Sequence, residues 1–141
     1  MGVIADFEIA EGMLKALIEL GADVSVVDVL DAGRDDAGSP WLVMEYLSGR
    51  DLAHVLEAAG TLSPDALVEV LRQTAEALDR AHAKGVVHRD IKPENLFVVA
   101  RPGKPNLVKV LDFGIAKIVE NRNATAATGT PMWLAPEQTE R

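Results

Sequence analysis

The chain contains no cysteine. That excludes a disulfide framework, a thiolate nucleophile and a cysteine-based zinc site. It has no apolar run near the ~20 residues needed to span a bilayer. Its start, Met1-Gly2-Val3-Ile4-Ala5-Asp6, has neither a basic n-region nor a long apolar h-region, so no signal peptide is expected. Asp6 stands where a myristoylation motif built on Gly2 needs Ser or Thr. Basic charge is scarce: 14 Lys and Arg face 22 Asp and Glu, a formal net charge of -8. A phosphate backbone demands clustered cations, so nucleic acid is not an expected partner. These absences together point to a cytoplasmic chain without a membrane segment. Internal repeats are lacking. The glycines ahead of residue 45 (Gly2, Gly12, Gly21, Gly33, Gly38) are scattered and form no glycine-rich phosphate loop. The only lysine ahead of Met44 is Lys15.

What remains is an ordinary globular composition, 48% hydrophobic and 26% charged, in 141 residues. That length suits one domain with a core of its own. Phe7, Ala10, Met13, Leu14, Leu17 and Ile18 repeat at helical spacing over 7–20, with Gly21 as a stop. Residues 24–30 are rich in β-branched residues and predict a strand. A Gly/Asp/Ser turn cluster follows over 31–40, then a short apolar strand over 41–44, so a hairpin is possible. A connector runs from Glu45 to Arg50. Asp51 predicts the cap of a short helix ending by Gly60. The strongest helix signal spans 64–84. Ser63 is a good N-cap, Pro64 fits the first helical position, and Asp65 suits the positive end of the helix dipole. Leu67, Leu71, Ala75, Leu78 and Ala81 mark one face, and Gly85 sits where a left-handed C-cap belongs. Very short strands are expected at 86–87, 96–99 and 108–111. Residues 118–130 are small, polar and without period, as in a mobile loop.

The chemistry-bearing residues are concentrated in His88-Arg89-Asp90-Ile91-Lys92-Pro93-Glu94-Asn95, in Asp112-Phe113-Gly114 and in Ala135-Pro136-Glu137. Singly, each has an ordinary explanation: Asp is a common turn former, Lys92-Pro93 can be surface, and His88 suits a packed structural role. Their order between short strands supplies a context that suits phosphoryl transfer. That reaction needs in-line placement, metal ions against phosphate charge, and a group near the attacking hydroxyl. Asp90, in a loop between strands, can reach a substrate hydroxyl. Lys92 can bring positive charge to the transferred phosphate. Asn95 and Asp112 offer the hard oxygen ligands that magnesium takes alongside phosphate oxygens.

This set of motifs resembles the catalytic loop, metal-binding turn and activation-segment end of protein kinases. In particular it resembles the eukaryotic-like serine/threonine kinases of bacteria. Lys92 after Asp90 speaks for the serine/threonine branch, and so does Gly129-Thr130-Pro131-Met132-Trp133-Leu134-Ala135-Pro136-Glu137. The resemblance implies an α+β, protein-kinase-like fold, incomplete. Residues 1–47 would be a small-lobe remnant of one helix, two strands and the hinge, and 48–141 the first part of the large lobe. It implies ATP and Mg2+ as cofactors and a protein substrate carrying Ser or Thr. Asp90, Lys92 and Thr130 would be catalytic, with Thr130 hydrogen-bonded to the Asp90–Lys92 pair. Asn95 and Asp112 would hold metal. Met44 would be the gatekeeper, the backbone of Glu45 and Leu47 would meet the adenine edge, Asp51 would sit near the ribose, and Phe97 would pack under the ring. Core packing is the competing reading for Met44 and Phe97. Arg89 beside Asp90 marks kinases switched by phosphorylation, with Thr125 and Thr128 as candidate sites or as plain loop threonines.

The family pattern also includes a glycine-rich turn and a strand lysine paired with a helix Glu, neither of which can be assigned here. Its later helices, which pack against the catalytic loop and the 64–84 helix, are likewise unmatched. An apolar helix face would then be covered by the remainder of a kinase or by a partner. A non-catalytic kinase-like binding module and a non-functional fragment remain as alternatives to an active phosphotransferase.

Overall fold

The computed structural model describes residues 26–111, Phe113 and 131–139. The expected helix over 7–20, the loop over 118–130, and Asp112, Thr125, Thr128 and Thr130 lie outside the described residues. Among the described residues two small sheets carry the fold. The first is an antiparallel hairpin of β1 (Val29–Arg34) and β2 (Pro40–Met44), with a register shift between Val29 and Asp31. The second has the order β3 (Gly49–Asp51), β4 (Leu96–Val99), β5 (Leu107–Val110), all antiparallel. Val26 bridges to Val110, and the Val27 N–H donates to the Val110 carbonyl at 3.2 Å, so the segment before β1 reaches the second sheet.

The first strand begins later than its β-branched run, and Asp31–Arg34 belong to it rather than to the turn. The reason is Asp35. Its carboxylate accepts the N–H groups of Ala37 and Ser39 at 2.9 and 2.8 Å, and Gly38 adopts φ 83°. That tight turn leaves everything before it free to pair.

Helix α1 (Leu52–Ala59) is capped by Asp51, which accepts the His54 N–H at 3.0 Å, and it closes on Gly60 at φ 77°. Helix α2 (Pro64–Ala83) starts as its sequence dictates, with Ser63 accepting the Ala66 N–H. It ends in paired bonds, Val86 N–H to Ala81 and Gly85 N–H to His82, both 2.9 Å, with Gly85 at φ 74°. This is the Schellman closure, which needs a left-handed residue at Gly85. It also removes Val86 from any strand. Residues 86–87 are not a strand: Val86 is buried beside the cap and Val87 is exposed.

Helix α2 packs on β5 through Val70, Gln73, Thr74, Ala77 and Ala81. These lie one residue round from most of the stripe that periodicity marks. Leu67 and Leu71 remain 45% and 58% exposed. The helix is apolar on two adjacent faces, and the buried one carries polar groups with tertiary partners. Gln73 accepts the Val108 N–H at 2.8 Å and donates to the Asn106 carbonyl at 3.1 Å. The core gathers Val26, Val29, Leu52, Ala77, Val86, Leu96, Val108, Val110 and Phe113 around this contact. β3 lies tight against β4 because Gly49 has no side chain: a Cβ there would sit 2.1 Å from the Val98 carbonyl oxygen. No helix among the described residues is long and apolar enough to cross a membrane.

Candidate active site

The loop after α2 starts from the Gly85 turn and runs to the 3-10 turn Pro93–Asn95. Its conformation is held by four hydrogen bonds that close on themselves. The Leu111 N–H donates to the Asn95 carbonyl at 2.8 Å. The His88 ring, through Nε2, meets the Leu111 carbonyl at 2.6 Å. The Asp90 N–H donates to His88 Nδ1 at 3.1 Å. Asn95 Nδ2 donates to the Asp90 carbonyl at 2.9 Å. A carbonyl requires a proton on Nε2, and an N–H requires a lone pair on Nδ1. The circuit therefore selects the neutral imidazole protonated at Nε2. His88 is 2% exposed, and its ring packs on Phe113 with centroids 4.7 Å apart. Its role is architectural, as the sequence suggests.

The circuit fixes the expected chemical groups in one place. Asn95 Nδ2 also lies 3.5 Å from the Asp90 carboxylate, and Lys92 Nζ lies 3.6 Å from the same carboxylate. Asp90, Lys92 and Asn95 thus share one site. Both ionic side chains are largely buried, so the pair is shielded from solvent. Arg89 is exposed and has φ 66°, a left-handed backbone that side chains disfavour. Among the described residues no three His, Cys, Asp or Glu cluster as a metal site. The donor chemistry nevertheless suits a hard cation. With Nδ2 turned to Asp90, the Asn95 amide offers its oxygen. The expected second ligand, Asp112, lies outside the described residues, between Leu111 and Phe113, which are both engaged with His88.

The expected nucleotide residues fall along the connector between the sheets and beside it. Met44 ends β2, pairs with Val29 and is 42% exposed, so simple core packing does not describe it. Glu45 and Leu47 follow in the connector. Asp51 and Phe97 are register partners across β3 and β4. Both line an open cleft of about 440 Å³ with Gly49, Arg50, His54, Glu57 and Ala58. That volume is in the range of small-molecule sites. Met44, Glu45 and Leu47 do not line it, nor do Asp90 and Asn95. Asp51 meets His54 Nδ1 at 2.5 Å. Partial burial raises the Asp51 pKa, but the His54 N–H, ring and charge outweigh it and hold the carboxyl below 3.8.

Two residues at this site carry no motif signal. Lys109, on β5, is only 9% exposed and pairs with the Glu45 carboxylate. Gln73 grips the β5 backbone. Lys109 is a charged residue inside an apolar strand, which is the one sequence sign that could mark it; Gln73, between Arg72 and Thr74, has none.

A family model described as the protein kinase domain matches residues 15–141. Serine/threonine-protein kinase pkn3 of Myxococcus xanthus is 41% identical over 119 residues, covering 79% of this chain and 22% of its own length. PknB of Mycobacterium tuberculosis is 35% identical over 133 residues, 91% of this chain and 21% of that protein. Among solved structures, Rad53 in complex with AMP-PNP matches at a TM-score of 0.71 and 31% identity, over 92% of this chain and 32% of that one. The chain thus spans about a fifth of the length of these curated relatives.

Proposed function

Since this chain belongs to the protein kinase family, we propose that it forms part of a serine/threonine kinase catalytic domain that moves the γ-phosphoryl group of ATP to protein hydroxyls. The observation that carries this reading is the closed hydrogen-bond circuit, which presents Asp90, Lys92 and Asn95 together. In the reaction, the substrate oxygen forms a bond to the γ-phosphorus and the bond to the β,γ-bridging oxygen breaks, releasing ADP. Asp90 orients the hydroxyl and takes its proton. Lys92 places positive charge beside the group in transit, where a preorganised cation acts most strongly. Asn95 and Asp112 are the residues that would hold Mg2+, which when bound neutralises phosphate charge. The backbone of Glu45 and Leu47 meets adenine, Asp51 the ribose, and Met44 and Phe97 flank the base. Rad53, similar over most of this chain, was solved in complex with AMP-PNP, which supports a nucleotide as the ligand. Thr130 steadies the Asp90–Lys92 pair, and phosphate on Thr125 or Thr128 would engage Arg89.

One observation favours a second reading, a module that binds nucleotide without transferring phosphate. The cleft that carries Asp51 and Phe97 is not lined by Asp90, Lys92 or Asn95, so a ligand held there would lie apart from the Asp90 loop. The test is calorimetry with Mg-ATP, together with transfer of labelled γ-phosphate to a Ser/Thr-rich protein. Binding and transfer that both vanish in Asp112→Ala, with transfer alone lost in Asp90→Asn, support the kinase. Binding without transfer in the wild-type chain supports the module. Absence of binding refutes both.

A further inference from the structure

Glu45, the first connector residue after β2, is anchored from three directions. Its N–H donates to the Asp28 carbonyl at 2.9 Å, and its carboxylate accepts the Asp28 N–H, also at 2.9 Å. This two-way closure is possible because the irregularity between Val29 and Asp31 brings the start of β1 alongside the end of β2. The third anchor comes from the other sheet. Lys109 on β5, 64 residues along the chain, donates to the same carboxylate oxygen.

The Lys109 side chain is only 11% exposed, on the face of β5 opposite to that of its buried neighbours Val108 and Val110. A buried ammonium is costly unless it is paired and hydrogen-bonded, so Lys109 is held to Glu45. Its position on β5 is two residues before Leu111, whose carbonyl belongs to the catalytic-loop circuit. The strand that locks the catalytic loop therefore also grips the connector. With its N–H committed to Asp28, the backbone group that Glu45 can present to a purine is its carbonyl. A carbonyl accepts from the 6-amino group of adenine and repels the 6-oxo group of hypoxanthine.

We propose that Lys109 is a positioning residue for base recognition: by clamping the Glu45 side chain it aims the Glu45 carbonyl, and so sets the preference for adenine over 6-oxopurines. The proposal rests on the connector being the adenine-binding segment, as argued above.

Nucleosides lack phosphates, so they read the connector alone. Adenosine and inosine affinities are measured by calorimetry on the full chain, for the wild type, Lys109→Met and Lys109→Arg. Amide exchange of residues 45–48, relative to α2, is followed without ligand. An adenosine preference of about tenfold is expected for the wild type, since an unmatched carbonyl loses its bond and faces a like dipole. In Lys109→Met that preference narrows to about twofold or less, with inosine affinity little changed, and exchange at 45–48 quickens while α2 stays protected. Lys109→Arg restores both. Adenosine binding with an unchanged preference in Lys109→Met refutes the proposal alone, as does an equal fall for both nucleosides, which is the mark of general destabilisation. A wild-type chain that binds neither nucleoside refutes the connector reading, and the proposal with it.

Discussion

Replacing His88 with Phe tests whether the loop that carries Asp90, Lys92 and Asn95 is held by its hydrogen-bond circuit or by packing. The substitution keeps an aromatic ring against Phe113; the larger ring adds a packing cost of its own, which the cycle with Asn95→Ala separates from the lost bonds. It removes both ring hydrogen bonds, to the Leu111 carbonyl and from the Asp90 N–H. Depriving a buried polar group of its partner costs about 1–3 kcal/mol. Leu111 and Asp90 are only partly buried, which sets the expected sum at about 2–4 kcal/mol. A domain with a typical stability of about 5–15 kcal/mol would lose a large share of it. Urea denaturation reads this as a lower midpoint with an unchanged slope. Asn95→Ala opens the same circuit at another link, the bond to the Asp90 carbonyl. Once one link is gone the next matters less, so the double variant should cost about 1 kcal/mol less than the sum of the singles. A loss below about 0.5 kcal/mol for His88→Phe, or strict additivity with Asn95→Ala, refutes the circuit as the holding device.

Two further predictions follow from the same geometry. Burial alone would raise the Glu45 pKa, but Lys109 and the Asp28 N–H outweigh it and hold the carboxyl below its ordinary 4.5; its stabilisation is therefore complete above about pH 4.5 and lost as pH falls through the lowered folded value. Melting temperatures followed from pH 7 to pH 3 should show wild type and Lys109→Met converging on acidification, and a constant gap counts against the pair. At Arg89, with φ 66°, Arg89→Gly should be about 1 kcal/mol more stable than Arg89→Ala in urea denaturation, and equal stabilities would show that the left-handed backbone carries no cost.

The capped helices were the most legible part of this fold. Ser63, Pro64 and Gly85 act through bonds that span a few residues, so they bound α2 without reference to the rest of the chain. Which face of α2 is buried was not legible, because Leu67, Val68 and Leu71 form an apolar strip as strong as the buried one. The choice between them is made by β5, whose Val108 N–H selects Gln73. The hairpin is visible in the sequence as a pair, but its turn is shorter than the 31–40 turn cluster because the Asp35 carboxylate condenses it to a few residues. At the candidate site, Asp90, Lys92 and Asn95 could be named because a single short loop holds them. The Lys109–Glu45 pair could not, since its partners are 64 residues apart and lysine in a strand ordinarily points to water.

Asp90 enters the loop circuit through its N–H and its carbonyl at 3.1 and 2.9 Å, while its carboxylate lies farther out, 3.5 Å from Asn95 Nδ2 and 3.6 Å from Lys92 Nζ. The carboxylate proposed to take the substrate proton and the backbone groups that hold the loop are different atoms of one residue. On that proposal, a single Asp90→Asn exchange would remove the carboxylate and keep the backbone bonds that shape the loop. Shape and catalytic competence can part company at this position, leaving a folded relative whose silence no backbone comparison would betray.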